Sequence, residues 1–239
     1  MLFKFADFYV DIEFVYRATE ELLSDYAVSE QCDADFSVSV SQSDIDIEAA
    51  HAVEVLGHSN FSRAYLERIV LLRKLCDKLI SHDVFLMHGA VLEYDGRGYM
   101  FSAPSGTGKT THILLWQQLF GKANVRIING DKPFIRCIDG RFYAYGSPWC
   151  GKENFNTNAR VPLSAVIFID RDESNSIERI YDETAVLQRI LGQIDVVKSA
   201  DLAKQIELVG RLVENVPVYN LRCNMEPDAA KVAYEGIKK

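Results

Sequence analysis

A run of small and flexible residues ending in a lysine and two threonines, Pro104-Ser105-Gly106-Thr107-Gly108-Lys109-Thr110-Thr111, joins two segments of opposite periodicity. Before it stands Tyr99-Met100-Phe101-Ser102-Ala103, an apolar segment that reads as a strand. After it, from Lys109 to Phe120, the spacing predicts a helix, with Trp116 and Leu119 burying the face behind the turn. A strand that passes straight into a helix needs positive-φ backbone, which Gly106 and Gly108 adopt without strain. The backbone N–H groups of such a turn and the positive end of the helix converge on one place and favour an anion there. The position of Lys109 matches the loop that cradles a nucleoside triphosphate, in which the lysine reaches the β- and γ-phosphates and the next hydroxyl, Thr110, binds Mg²⁺. Ala103 stands where the usual pattern has its first glycine and is small enough for the same turn. The whole run from Pro104 to Thr111 is expected to line the nucleotide.

The chain has 239 residues, 48% of them hydrophobic, enough to bury a sizeable core in one domain or one domain with an appendage. Its net charge of −8 argues against nucleic acid and anionic membrane as partners. The longest apolar runs, such as 165–169, fall well short of the about 20 residues that span a bilayer. The opening MLFKFADFYVDIEF carries acids within its apolar stretch and does not read as a signal peptide, so a cytoplasmic protein is expected. Five scattered cysteines, none at metal-ligand spacing, fit a reducing compartment, with Cys150 between Trp149 and Gly151 the one to watch.

Residues 1–57 read as a small β-rich region that either stands apart or joins the main sheet, with Phe36-Ser37-Val38-Ser39-Val40 as an alternating strand. Residues 58–239 read as the main domain. It opens on a helix capped by Ser59 or Asn60, with Phe61, Tyr65, Ile69, Leu72, Cys76 and Leu79 toward the core. Then come strands at 85–94, 99–103, 125–129, 134–138, 141–145, 165–169, 176–181 and 218–222. Helices are expected at 184–194 and 200–214 and from about Pro227. Turns at Asp95-Gly96-Arg97-Gly98 and Asp139-Gly140 make hairpins. Hairpins mixed with helices predict an α/β fold with a mixed, largely hairpin-built sheet, a phosphate loop and flanking helices.

Two segments flank the loop in sequence: Met87-His88-Gly89, one strand before it, and Asn129-Gly130-Asp131-Lys132-Pro133, at the end of the strand after its helix. A carboxylate at the end of that strand is where a metal and an attacking hydroxyl need one. A lone histidine on an apolar strand is more often a core residue, and a lone aspartate before Lys132-Pro133 a turn residue. Their order around the loop raises both.

At these residues the sequence resembles the HPr kinase and phosphoenolpyruvate carboxykinase superfamily, and within it the bacterial HPr serine kinase-like proteins. The resemblance rests on Met87-His88-Gly89, the run 102–112, Leu115-Trp116, Asn129-Gly130-Asp131-Lys132-Pro133 and the segment from Tyr145 to Lys152, and it spans roughly residues 60 to 224, from Phe61-Ser62-Arg63 to Val216-Pro217-Val218-Tyr219. It implies the superfamily's domain fold, a mixed sheet with the loop on one edge of a central cleft. It implies Thr110 and Asp131 as Mg²⁺ ligands and His88 as a ligand of a second ion such as Mn²⁺, or a proton carrier near the γ-phosphate. It also implies a substrate-facing loop in which Lys152 neutralises the transferring phosphoryl, with Lys132 and Arg160 as weaker candidates. Where the family has two adjacent acids, Gly130 replaces the first and Asp131 keeps the second. The base is then either Asp131 or His88. The chain lacks the Arg-Gly-Leu-Gly signature of HPr kinases, which argues against HPr as the acceptor.

The resulting expectation is an ATP- and Mg²⁺-dependent kinase acting on a hydroxyl acceptor, a serine of a peptide or protein or a small metabolite. The alternatives are a nucleotide-binding regulatory or accessory module with little transfer, and another use of ATP or pyrophosphate. The superfamily also makes a homo-oligomer an expectation.

Overall fold

The computed structural model describes residues 1–58, 60–104, 106–194 and 201–238. Ser59, Ser105 and residue 200 of the expected helix 200–214 lie outside them. The chain divides into two compact units, Met1–His82 and Asp83–Lys239, so the division falls after His82 rather than after residue 57.

In the first unit β1 (Leu2–Phe5) and β2 (Phe8–Glu13) form an antiparallel hairpin across Ala6-Asp7, and β3 (Phe36–Ser39) adds in parallel to β2. Helices α1 (Arg17–Leu23), α2 (Gln42–Leu56) and α3 (Arg63–Leu79) complete it. The cap of α3 is Ser62, whose hydroxyl accepts from Tyr65 N, and not Ser59 or Asn60. Its buried face runs through Leu66, Leu71, Leu75 and Leu79, while the expected Tyr65 is exposed. Apolar residues crowd Ile69-Val70-Leu71-Leu72 on every side of the helix, so spacing alone left its phase open. The helix packs on α1, α2 and β3, which is why it belongs to the first unit. Glu67 lies wholly buried beneath α1 and accepts from Tyr16 N (3.1 Å), Val15 N and the Thr19 hydroxyl. These satisfy N–H groups that a helix start leaves unpaired.

The second unit is a mixed α/β assembly. Its strands are β4 (Val84–Leu86), β5 (Ala90–Tyr94), β6 (Arg97–Ser102), β7 (Val125–Asn129), β8 (Phe134–Ile138), β9 (Arg141–Tyr145), β10 (Arg160–Arg171), β11 (Ser176–Arg179) and β12 (Val218–Cys223). They pair in the order β4-β8-β9-β10-β6-β5-β7, with β12 also on β10 and β11 on β12. Only β10 with β6 and β10 with β12 are parallel. Residues 165–169 of β10 are all buried, as a strand covered on both faces requires. The expected strand 85–94 is broken in two at Met87-His88-Gly89. There the chain changes partners, from β8 to β6 and β7. Strand β12 lies between β10 and β11, so the charged segment that joins β10 to β11 is not a hairpin.

Helix α4 (Lys109–Phe120) buries His112, Ile113, Leu115 and Trp116, whereas Leu119 is exposed. Trp116 packs among Tyr94, Tyr99, Phe101, Phe120 and Tyr234, the last from α7 (Asp228–Ile237). Helix α5 (Glu183–Leu191), capped by the Asp182 carboxylate, packs on α6 (Leu202–Asn215). Among the described residues no helix is long and apolar enough to cross a membrane.

Candidate functional site

Five strands bring their ends to one edge of the sheet. Strand β6 ends at Ser102, and β10 and β12 run parallel with it, so Ile169 to Arg171 and Cys223 finish beside it. Antiparallel to β6, β5 starts at that edge, pairing Ala90 with Phe101. Antiparallel to β5, β7 ends there, pairing Val91 with Asn129. The start of α4, the residue His88 and the residue Asp131 are thereby gathered from three stretches of sequence.

Between β6 and α4, Gly106 stands at φ 79° and Gly108 at φ 121°. Thr107 N donates to Pro104 O at 3.2 Å, and His112 N donates to Gly108 O at 2.9 Å. Lys109 is buried to 9% exposure and its Nζ donates to Ala103 O at 2.8 Å. Burial pulls its ammonium pKa down, and the charge of Asp131 partly counters this. Thr110 and Thr111 lie half-buried in the first turn of α4. From β10, Arg171 donates through Nε to Thr107 O at 3.1 Å and through Nη2 to Gly106 O, which pins the outer side of the turn.

His88 Nε2 stands 2.7 Å from Asp131 Oδ1, with both side chains about one-third exposed, at 34% and 30%. Burial pushes the Asp131 carboxyl up, but the hydrogen bond from His88 and the charges of His88, Lys132 and Lys109 outweigh it and hold the pKa below the usual value. Asp131 is therefore a carboxylate, which only accepts, so His88 Nε2 carries the hydrogen of this bond. The backbone of His88 is fixed from both sides: its N donates to Gln193 O at 2.7 Å, and its O accepts from Ser102 Oγ at 2.8 Å. Gly89 N donates to Asp131 O at 2.8 Å, tying the two segments together.

A buried cluster shapes the turn that carries Asp131. Asn129 Oδ1 accepts from Asp131 N (2.8 Å) and Lys132 N (2.7 Å), and Asn129 Nδ2 donates to Ser147 O at 2.9 Å. Ser147 Oγ closes the ring by donating to Lys132 O at 2.6 Å. Both side chains are fully buried. Asn129 and Ser147 stand in the sequence motifs without a role of their own, although an asparagine two residues before the acid is a turn-forming signal. Arg171 and Gln193 stand in no motif, because their contacts cross 64 residues and more of chain and leave no local trace.

Gly130 has a steric reason. A Cβ there would sit 2.7 Å from Cys150 O and 3.3 Å from Phe155 Cβ, so the backbone of the 149–155 loop occupies the space of a side chain. That loop abuts the acid, since Lys132 N donates to Trp149 O at 3.1 Å. Lys152 is on the same loop and is exposed. Arg160 is turned to the β9 strand, with its guanidinium 5.3 Å from the Tyr143 ring and donating to Tyr145 Oη at 3.2 Å. Cys150 is buried and accepts from Asn156 Nδ2 at 3.6 Å, a packing role.

Comparison with known proteins adds little to this geometry. No protein-family model matches the chain, and no curated protein matches it. Among solved structures it is similar to the Hpr(Ser) kinase/phosphatase from Coxiella burnetii, at 10% identity and a TM-score of 0.38, over 64% of this chain and 88% of that one.

Proposed function

We propose that this chain is an ATP-dependent kinase that moves the γ-phosphoryl group to a hydroxyl acceptor, a serine of a peptide or protein or a small metabolite. The observation that carries the reading is the 2.7 Å pairing of His88 with Asp131 at the sheet edge from which the 103–108 turn and Lys109 spring. In this reading Nδ1 of His88 takes the proton of the acceptor hydroxyl while Asp131 holds the imidazole and stabilises its charge. The acceptor oxygen forms a bond to the γ-phosphorus, the bond from that phosphorus to the β-bridging oxygen breaks, and ADP leaves with the electron pair. Lys109 and the start of α4 offset charge on the phosphoryl oxygens.

Mg²⁺ fits the residues present. Thr110 and the second oxygen of Asp131 are hard oxygen donors, and one carboxylate with one hydroxyl is the protein's usual share when phosphates supply the rest. The ion, when bound, neutralises the β- and γ-phosphate oxygens. A role for His88 on a second ion, such as Mn²⁺, would use Nδ1 and compete with its proton role.

One observation favours a second reading, a nucleotide-binding regulatory or accessory module. The space beside Asp131 where a second acid would stand is taken by Cys150 O. Purified protein incubated with Mg²⁺, γ-labelled ATP and cell extract separates the two. Label in an acceptor, lost in Lys109→Ala, supports the kinase. ATP binding by calorimetry without transfer supports the module, and no binding at all removes both.

A further inference from the structure

Strand β6 lies beside β10, and β10 beside β12. In their parallel register Ser102 stands level with Phe168, and Phe168 level with Asn220. Residues level with each other in adjacent strands share a face of the sheet, so these three side chains form one row. We propose that Arg189, in the last turn of α5, and Gln193, two residues past the end of that helix, are positioning residues that grip this row and hold His88 against Asp131; this rests on the proton role of His88 in the proposed function.

His88 depends on such a hold. The chain changes strand partners at Met87-His88-Gly89, so neither ladder supplies the backbone bonds of His88. Backbone polar groups inside a fold need partners all the same. Gln193 O accepts from His88 N at 2.7 Å, and Ile194 forms an antiparallel bridge with Met87. Ser102 is wholly buried, and its Oγ stands 2.8 Å from His88 O and 3.1 Å from Gln193 Oε1. One hydroxyl therefore ties the main chain of His88 to the side chain of Gln193.

Gln193 moves with α5, because Gly192 N donates to Gln188 O at 3.1 Å and Gln193 N to Ile190 O at 2.9 Å. The helix has nine residues, too few to hold itself by its own backbone bonds. Arg189, one turn before Gln193, anchors it to the other two members of the row. Its Nη1 donates to Asn220 Oδ1 at 2.7 Å, its Nη2 to Asp170 Oδ2 at 3.3 Å, and its guanidinium lies 4.7 Å from the Phe168 ring. A planar fork of donors suits this combination of two acceptors and a ring face, which an ammonium would not. Asn220 is 7% exposed, so the bond also satisfies a buried amide oxygen. A slip of this turn along the row would carry Gln193 O with it and shift His88. A misplacement of about 1 Å costs a reacting group about two powers of ten in rate.

The test uses the full chain and three variants, Arg189→Ala, Gln193→Ala and Gln193→Glu, each checked by thermal unfolding to be folded at the assay temperature. One readout is deuterium exchange at the His88 backbone amide. The other is transfer of label from γ-labelled ATP to a fixed amount of cell extract, measured as maximal rate and KM for ATP. Arg189→Ala should speed exchange at His88 and lower the maximal rate about tenfold or more, with KM for ATP within about twofold of wild type. Gln193→Ala keeps the main-chain bond and should lower the rate about fivefold. Gln193→Glu keeps an oxygen for the Ser102 hydroxyl and should recover most of that loss. Faster exchange at an unchanged maximal rate would confine both residues to folding and overturn the inference. So would exchange that does not change, or a rise in KM alone. Those outcomes leave an active wild type and the kinase reading standing, whereas a wild type that transfers no label overturns the kinase reading and the positioning role with it.

Discussion

His88 and Asp131 are 43 residues apart in the chain and meet at 2.7 Å, Nε2 to Oδ1. The meeting is set by the backbone: β5 and β7 pair antiparallel with Val91 opposite Asn129, and Gly89 N donates to Asp131 O. One residue before that bond and two after that pairing, the two side chains face each other. A histidine whose backbone is clamped by Ser102 and Gln193, and an aspartate whose turn is clamped by Asn129, form a prearranged hydrogen-bonded pair.

Asp131→Asn keeps the size of the side chain and an oxygen for Nε2, and removes the charge. Under the proposed function, turnover should fall by about two powers of ten or more, with ATP binding changed far less. The variant also reports on stability. The carboxyl is held below its ordinary value by His88, Lys132 and Lys109 against the opposing effect of burial. Its ionised form therefore stabilises the fold fully above about pH 3.9 and loses that contribution as pH falls through the lower folded value. Urea unfolding of wild type should weaken in that acid window more steeply than that of Asp131→Asn. Parallel curves would show that the pair is not formed in solution.

Gly130→Asp would restore the first of the resembled family's two adjacent acids, and the structure predicts harm from it. The new Cβ would lie 2.7 Å from Cys150 O, a backbone atom that cannot swing aside as a side chain tip does. Overpacking of this kind costs about 1–3 kcal/mol. The expected outcome is a lower unfolding midpoint and turnover below wild type. A stable variant with raised turnover would mean that the 149–155 loop sits elsewhere in solution.

How much of this was legible in the sequence differs from residue to residue. The hairpins at Asp95-Gly96 and Asp139-Gly140 follow from local turn chemistry, and both appear with positive φ at each position. The strand–turn–helix around Lys109 is equally local. The break at His88 was not legible, because apolar character continues through Met87 and only the exchange of strand partners ends the strand. The phase of α3 and the exposure of Leu119 were hidden because tertiary partners decide them. Gly130 was read as a lost acid, whereas the approach of Cys150 O explains it through a contact that no local pattern carries.

Asn129 holds the turn that carries Asp131, through bonds to Asp131 N and Lys132 N. Asn129→Ala removes the acceptor of two backbone N–H groups and the donor to Ser147 O, in a fully buried place. A loss of about 1–3 kcal/mol in stability is expected. A structural role alone would stop there. A positioning role predicts that kcat of the folded fraction falls about tenfold or more while KM for ATP stays near wild type, because Asp131 would no longer be held against His88. Asn129→Asp, which keeps the acceptor oxygen, should recover part of kcat. Unchanged kcat in Asn129→Ala would confine the residue to folding.

His112 predicts an acid sensitivity separate from the pair at Asp131. It is 2% exposed on the inner face of α4, its Nε2 accepts from Trp116 Nε1 at 3.1 Å, and its ring lies 4.6 Å from that of Phe101. Trp116 Nε1 only donates, so a protonated Nε2 would set two donors against each other. Burial pushes the His112 pKa down to about 3. In the unfolded chain the same imidazole titrates near about 6.5. Between the two values the unfolded state binds a proton that the native state does not, so stability rises with pH across this window and is lost as pH falls through it. At pH 5 the loss relative to pH 7 amounts to about 2 kcal/mol from this residue. His112→Gln keeps an acceptor for Trp116 and cannot titrate. It should lower stability at pH 7 and flatten the decline from pH 7 to pH 5. Urea midpoints at the two pH values in both proteins measure the difference, and an equal slope in the variant would place the acid sensitivity on other groups.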